Sequence, residues 1–220
     1  MKSGYSSVAV CPLAFIVVLL CFCCSGCSSR VEAVGEKSLA QVANLIRVPL
    51  TRQSADYTCG ITAVQSLIGY YGIDKRQDQL ITAMQPDPDK GTDYRNIIAY
   101  LQSLGFSATA RTNISLDELK GYLDNRQPVL LAIQAWADVP ADWSSYENGH
   151  YVIAVGYDQD VIYFMDPSTL GNYTYIPATE FLQRWHDHDS YQNVDLIQFG
   201  IIASKATADL YNPDRIKELN

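Results

Sequence analysis

The sequence predicts an α+β domain in which helices come first and an antiparallel sheet follows. Apolar residues recur at helical spacing between residues 59 and 123. From residue 129 onward, short runs rich in Val, Ile and Tyr take over, separated by turn residues. The composition supplies a core, with 48% apolar and 18% charged residues in a chain of 220. That length suits one globular domain and a short targeting segment.

The elements follow in order. Val48-Pro49-Leu50 is extended because of its proline, and leads into Arg52-Gln53. Thr58 is a good N-cap for a helix from Cys59 to Tyr71, ended by Gly72. Ile61, Val64, Leu67, Ile68 and Tyr71 give that helix one buried face. A second helix fits Gln77–Met84 and stops at Pro86 and Pro88. A third fits Asp93–Leu104, closed by Gly105, and Ser115 with Glu118 forms a capping box for a short fourth through Leu123. Strands are expected at Val129–Ala135, Tyr151–Tyr157, Val161–Met165, Tyr173–Ile176 and Ile197–Ala203, with a hairpin turn at Asp158-Gln159-Asp160. Glu180–Trp185 adds one late helix, and residues 205–220 form a polar tail, either an end helix or disordered. Helices followed by such strands indicate the α+β class.

The first residues are different material. Lys2 precedes an uncharged apolar run from Val8 to Cys24, broken only by Pro12, and Ser25-Gly26-Cys27 follows. That pattern describes a secretory signal. Cys24-Ser25-Gly26-Cys27 also resembles a bacterial lipobox, with Cys24 where that motif usually has Leu. The resemblance implies a signal peptide over 1–26, acylation of Cys27, a membrane tether over 27–47 and the main domain over 48–204. An uncleaved anchor is the other reading, since the run approaches the roughly 20 residues that span a bilayer. Either one places the domain in the cell envelope, outside the cytoplasm, with the membrane as a partner.

Charge excludes one function class. Sixteen Lys and Arg face 24 Asp and Glu, for a net charge of −8 without blocks of like sign. Phosphate neutralisation needs a clustered basic surface, so no nucleic-acid partner is expected. Fifteen tyrosines suit strands and aromatic-lined clefts. Of six cysteines, Cys11, Cys21, Cys23 and Cys24 leave with the signal and Cys27 is taken by lipid, so Cys59 is left alone. A lone thiol in an exported protein is either a small buried hydrophobe or a reactive group.

Cys59 sits in the first turn of its helix, where unpaired N–H groups and the macrodipole favour an anion. The thiolate is the nucleophilic form of cysteine. Gly60 leaves room beside it. Gln53, six residues upstream, can aim its NH2 at the same point and pair with the Cys59 N–H as an oxyanion hole. His150 opens the strand 151–157, and Asp166 ends the strand 161–165. If those strands pair around the 158–160 turn, His150 and Asp166 meet at one end, and the carboxylate orients the imidazole. His186-Asp187-His188-Asp189 is dense in metal-ligand types, yet spacing marks no third or fourth ligand. It reads as a solvated loop rather than a zinc site, and no metal or cofactor is expected.

Gln53-x5-Cys59-Gly60, the helix end Tyr70-Tyr71-Gly72, Gly149-His150-Tyr151-Val152, Gly156-Tyr157-Asp158 and Asp166-Pro167 resemble papain-like cysteine peptidases. Among these the chain is most similar to the bacteriocin leader-processing, or double-glycine, peptidases and their stand-alone relatives. The resemblance covers roughly Pro49 to Ala203. It implies a papain-like fold and a peptide or protein substrate. It also implies Cys59 as nucleophile, His150 as general base then acid, Asp166 as orienter and Gln53 as oxyanion donor. The chain lacks the ATPase and multi-span regions of transporter-fused members, which leaves a double-glycine substrate open. The segment 135–148, with Trp136, Trp143 and Tyr146, reads as an extended loop shaping the cleft. Two rivals remain: an acyl transferase on the same scaffold, and a peptide-binding module without catalysis.

Overall fold

Helix α1 (Cys59–Tyr70) is enclosed by the rest of the domain, not merely laid against it along one face. The computed structural model describes residues 44–136 and 142–216, with Gly4, Val42 and Glu218 besides. The proposed signal peptide, Cys27 and most of the tether therefore lie outside the described residues. Ile61, Val64, Leu67 and Ile68 of α1 have no exposed surface, and Thr62 and Ser66 on its other side are buried as well. The proline-extended segment 49–51 supplies that second cover. Ser66 Oγ donates to the Pro49 carbonyl at 2.6 Å, and Thr51 Oγ1 to the Thr62 carbonyl at 3.1 Å. The expected single apolar stripe understates the burial because this segment covers the polar side, where the Ser66 hydroxyl finds a main-chain partner and the buried Thr62 hydroxyl has none among the described residues. Truncating Leu67 to Ala here would cost about 2–5 kcal/mol.

Three further helices meet their sequence signals. Helix α2 (Gln77–Met84) ends at Gln85 in the left-handed region, and α3 (Tyr94–Ser103) is capped by Asp93, whose carboxylate accepts from Arg95 N. Helix α4 (Leu116–Asp124) has the full Ser115–Glu118 capping box. Between α3 and α4 lies β1 (Ser107–Arg111), which the sequence did not announce: Ser, Ala and Arg dilute its β signal.

The remaining chain contributes β2 (Val129–Gln134), β3 (Gly149–Tyr157), β4 (Val161–Met165), β5 (Thr174–Pro177), α5 (Ala178–Arg184), β6 (His186–Asp189), β7 (Val194–Ile197) and β8 (Gly200–Ser204). Six strands form one sheet in the order β1-β8-β2-β3-β4-β5, every neighbour antiparallel, and β6 pairs with β7 in a separate ribbon. Strands β2 and β4 are buried at every position. The expected strand Ile197–Ala203 is divided, since Ile197 ends β7, Gln198 turns with φ 45°, and β8 starts at Gly200. His186–Asp189 is a paired strand rather than the expected solvated loop.

Packing starts ahead of the expected boundary at Val48, since Val42, Leu45 and Ile46 already lie against the core. Ile46 is fully buried, and its N–H donates at 2.7 Å to the carbonyl of Val155, where β3 is bulged between Ala154 and Gly156. The polar tail also differs from both expectations. Residues 205–216 form no helix and run back over α1, where Tyr211 N–H bonds the Tyr70 carbonyl at 2.8 Å.

Candidate active site

The hairpin β3–β4 pairs Ile153 with Met165, so His150 and Asp166 emerge at the same end. His150 Nε2 and Asp166 Oδ1 are 2.8 Å apart. The carboxylate is well held: Oδ1 also accepts from Ser168 N–H at 2.8 Å, and Oδ2 from Thr169 Oγ1 at 2.8 Å. With Nε2 on Asp166, the rest of the ring lies near Cys59, which acts on the His150 imidazole and lines the same cleft. Cys59, His150 and Asp166 are thus brought together, from the start of α1 and from two strand ends.

The electrostatics follow from burial and partners. His150 is only 3% exposed, and burial by itself pushes an imidazole down. Hydrogen bonds to Asp166 and Cys59 outweigh that and raise its pKa from 6.5 to about 9. Burial acts to raise the Asp166 carboxyl, but His150, Ser168 and Thr169 together hold it below the usual carboxylate range. Both shifts favour a charged imidazolium–carboxylate pair at neutral pH. The Trp136 ring lies 4.8 Å from the His150 ring and is half exposed, covering the imidazole from solvent. Arg184 fixes the stretch leading to it, donating to the carbonyls of Gln134 and Ala135 while stacking on Trp143.

The thiol side is organised differently from expectation. Thr58 occupies the N-cap position, but its side chain makes no capping bond. Its hydroxyl instead donates to the Ala55 carbonyl at 2.8 Å and accepts from Ala55 N at 3.1 Å, closing the preceding turn. The first turn of α1 at Cys59 is left without a side-chain cap, an arrangement that suits negative charge. Gly60 does not open space for substrate, as the sequence suggested. A Cβ there would lie 2.8 Å from Thr92 Cβ and 3.0 Å from Tyr151 Cδ2, so the glycine admits those two side chains.

Gln53 lies in the loop before α1, tied to the Asp166 turn. Its N–H bonds the Pro167 carbonyl at 3.0 Å and its Oε1 accepts from Ser168 Oγ at 3.3 Å. Its Nε2 donates to the carbonyls of Ala55 at 3.1 Å and Asp56 at 3.3 Å. The amide therefore bridges the thiol and histidine halves, while its hydrogens rest on main chain.

Cys59 and His150 line a cleft of about 390 Å³, walled also by Tyr146, Tyr151, Thr92 and Asp187. Asp187 and Thr92 carried no individual signal in the sequence. Each residue of the 186–189 run has its own partner: His186 Nε2 lies 3.2 Å from the Ser145 carbonyl, and Asp187 accepts from Gln134. His188 pairs with Asp195, and Asp189 with Arg95.

Known proteins sharpen this picture. A putative C39-like peptidase from Bacillus anthracis has the same fold at 21% identity and TM-score 0.58, covering 74% of this chain and 97% of that one. The peptidase domain of Streptococcus ComA, a bifunctional ABC transporter of quorum sensing, is similar at 17% identity and TM-score 0.54, over 70% and 96%. A double-glycine motif protease from an AMS/PCAT transporter, solved with its leader peptide, matches at 17% and 0.53, over 73% and 94%. No curated protein matches the chain. The Peptidase C39-like family matches residues 45–193, more than half of the sequence and the whole stretch from the start of the packed domain through β6, and the chain belongs to that family.

Proposed function

We propose that this protein is a cysteine peptidase that cleaves peptide bonds with Cys59 as nucleophile, His150 as acid and base, and Asp166 as the group that orients His150. The observation that carries this reading is the His150 ring, held by Asp166 at 2.8 Å on one nitrogen and sharing a cleft with the Cys59 thiol, which acts on it.

The chemistry follows from that geometry. The Cys59 thiolate adds to the scissile carbonyl carbon, and the C=O electron pair moves onto oxygen. As the C–N bond breaks, imidazolium Nδ1–H gives its proton to the leaving amine, and a thioester on Cys59 remains. Water then attacks the thioester while neutral Nδ1 takes its proton, releasing the carboxylic acid and restoring the thiol pair. Asp166 stays ionised throughout and stabilises the imidazolium.

The oxyanion faces the first turn of α1, where the Cys59 N–H is one donor. Gln53 is the second in this reading. To serve, its Nε2 has to leave one main-chain carbonyl, and the longer contact to Asp56, at 3.3 Å, is the weaker one. The solved complex of a double-glycine protease with a leader peptide supports a peptide as the occupant. Acylation of Cys27 and attachment to the cell envelope complete the proposal; there Cys27→Ser releases the protein from membranes or stalls it as a precursor.

The test is a pre-steady-state burst assay with a peptide ester or amide, with and without an acceptor amine. The wild type gives a burst and free acid, whereas Cys59→Ala gives neither. Diversion of product to the amide indicates an acyl transferase. Equal peptide binding by wild type and Cys59→Ala, with no trapped acyl-enzyme, indicates a binding module.

A further inference from the structure

Asp187 stands in the cleft as a carboxylate that the fold does not neutralise. Its Oδ1 accepts from His188 N–H at 2.8 Å and from Gln134 Nε2 at 3.2 Å, and Oδ2 has no partner among the described residues. Asp187 is in no ion pair among the described residues, unlike its neighbours Asp189 and His188. Burial pushes its pKa up to about 6, outweighing its hydrogen bonds from His188 N–H and Gln134 and the opposing pull of the His186 and His188 rings. It is nonetheless held firmly. Gln134, 1% exposed, fixes it from β2, and Gly149 on β3 is glycine because a Cβ would lie 2.5 Å from Asp187 Oδ1. The carboxylate is therefore seated one residue from His150, on the wall of the cleft that holds Cys59.

The surroundings suit a cation. Tyr146 and Tyr151 flank the same cleft. Of the other acids along it, Asp93 and Asp189 are taken up by Arg95; Asp56, Asp89 and Glu147 form no ion pair among the described residues, and Lys90 sits over the Tyr191 ring. Thr92 is 3% exposed, and its hydroxyl lacks a hydrogen-bond partner among the described residues. The cleft thus contains two polar groups left unpaired by the fold.

We propose that Asp187 is a specificity-determining residue that receives a lysine or arginine side chain of the peptide beside the scissile bond. This rests on the peptidase reading above. A substrate cation and a fixed, half-buried carboxylate with one oxygen outside any hydrogen bond or ion pair among the described residues attract each other. Tyr151, packed against Gly60, links this subsite to the thiol.

The experiment uses the full chain and a set of otherwise identical peptides carrying Lys at successive positions around the cleaved bond. Each is paired with a norleucine counterpart. At one position the wild type should prefer Lys in kcat/KM by about tenfold or more. Asp187→Asn, which keeps an acceptor for Gln134 and His188, should bring that ratio near one, while Asp187→Glu should retain part of it. A wild type without Lys preference at any position overturns the proposal, even if Asp187→Asn fails to fold. Retention of the full ratio in a folded Asp187→Asn overturns it too. A second readout separates this from the catalytic reading: protection of Cys59 against iodoacetamide by uncleaved Lys and norleucine peptides. Stronger protection by Lys supports the subsite even in the absence of turnover, and equal protection sinks it even when turnover is normal.

Discussion

The two halves of the candidate site are held in different ways. On the histidine side, a buried sheet end positions His150, and Asp166 is fixed by three donors, from His150, Ser168 and Thr169. On the thiol side, Cys59 begins a helix whose N-cap residue does not cap it, and Gln53 is secured by long contacts to main-chain carbonyls. The histidine half is prebuilt, and it spends its polar groups on itself. The thiol half leaves the first turn of α1 without a side-chain cap. This division suits differential binding, in which donors aimed at the transition state stay unsatisfied in the ground state.

The largest effect should come from breaking the link between the halves. His150→Ala and Cys59→Ala should each abolish burst and turnover while the protein still unfolds cooperatively, measured by stopped-flow and calorimetry. Next comes Asp166→Asn, which removes the charge that holds the imidazolium. Turnover should fall by about 10³–10⁴. The pH profile should move as well. His150 is raised to about 9, so kcat/KM in the wild type should decline on an alkaline limb near that value, and in Asp166→Asn the limb should move down toward 6.5. The same shift bears on stability. A raised histidine pKa contributes fully below about pH 6.5, and its contribution is lost as pH rises through about 9. Melting temperature of the wild type should therefore fall over that interval more than in Asp166→Asn.

Gln53→Ala tests the looser half, and the expected loss is about 10²–10³ in kcat with little change in KM. An effect on KM alone would make Gln53 a brace for the Asp166 turn, through Pro167 and Ser168, rather than an oxyanion donor. The smallest effect is structural. Gly149→Ala forces a methyl against the Asp187 carboxylate, and overpacking of that kind costs about 1–3 kcal/mol, read by denaturant titration.

The same contrast governs what was legible in the sequence. The hairpin placing His150 beside Asp166 follows from strand periodicity and a turn, both local signals, and the structure has it. The order of helices, the α4 capping box and the class of fold were legible for the same reason. What escaped is non-local. Thr58 carries the composition of a cap, but its hydroxyl closes a turn at Ala55 instead. Gly60 looked like an opening, yet Thr92 and Tyr151 come from distant segments to fill it. Residues 186–189 show no apolar–polar alternation, being four titratable residues in a row, and only pairing with β7 discloses the strand. The cleft role of Asp187 depends on Gly149 and Gln134, 38 and 53 residues away in sequence.

The most direct measurement is intact-protein mass spectrometry of the full chain during the burst, followed by localisation of the adduct. A single acyl group on Cys59, absent from Cys59→Ala and not formed on the burst timescale in His150→Ala, is the predicted result. Full turnover by Cys59→Ala, or an acyl group on another residue, would contradict it.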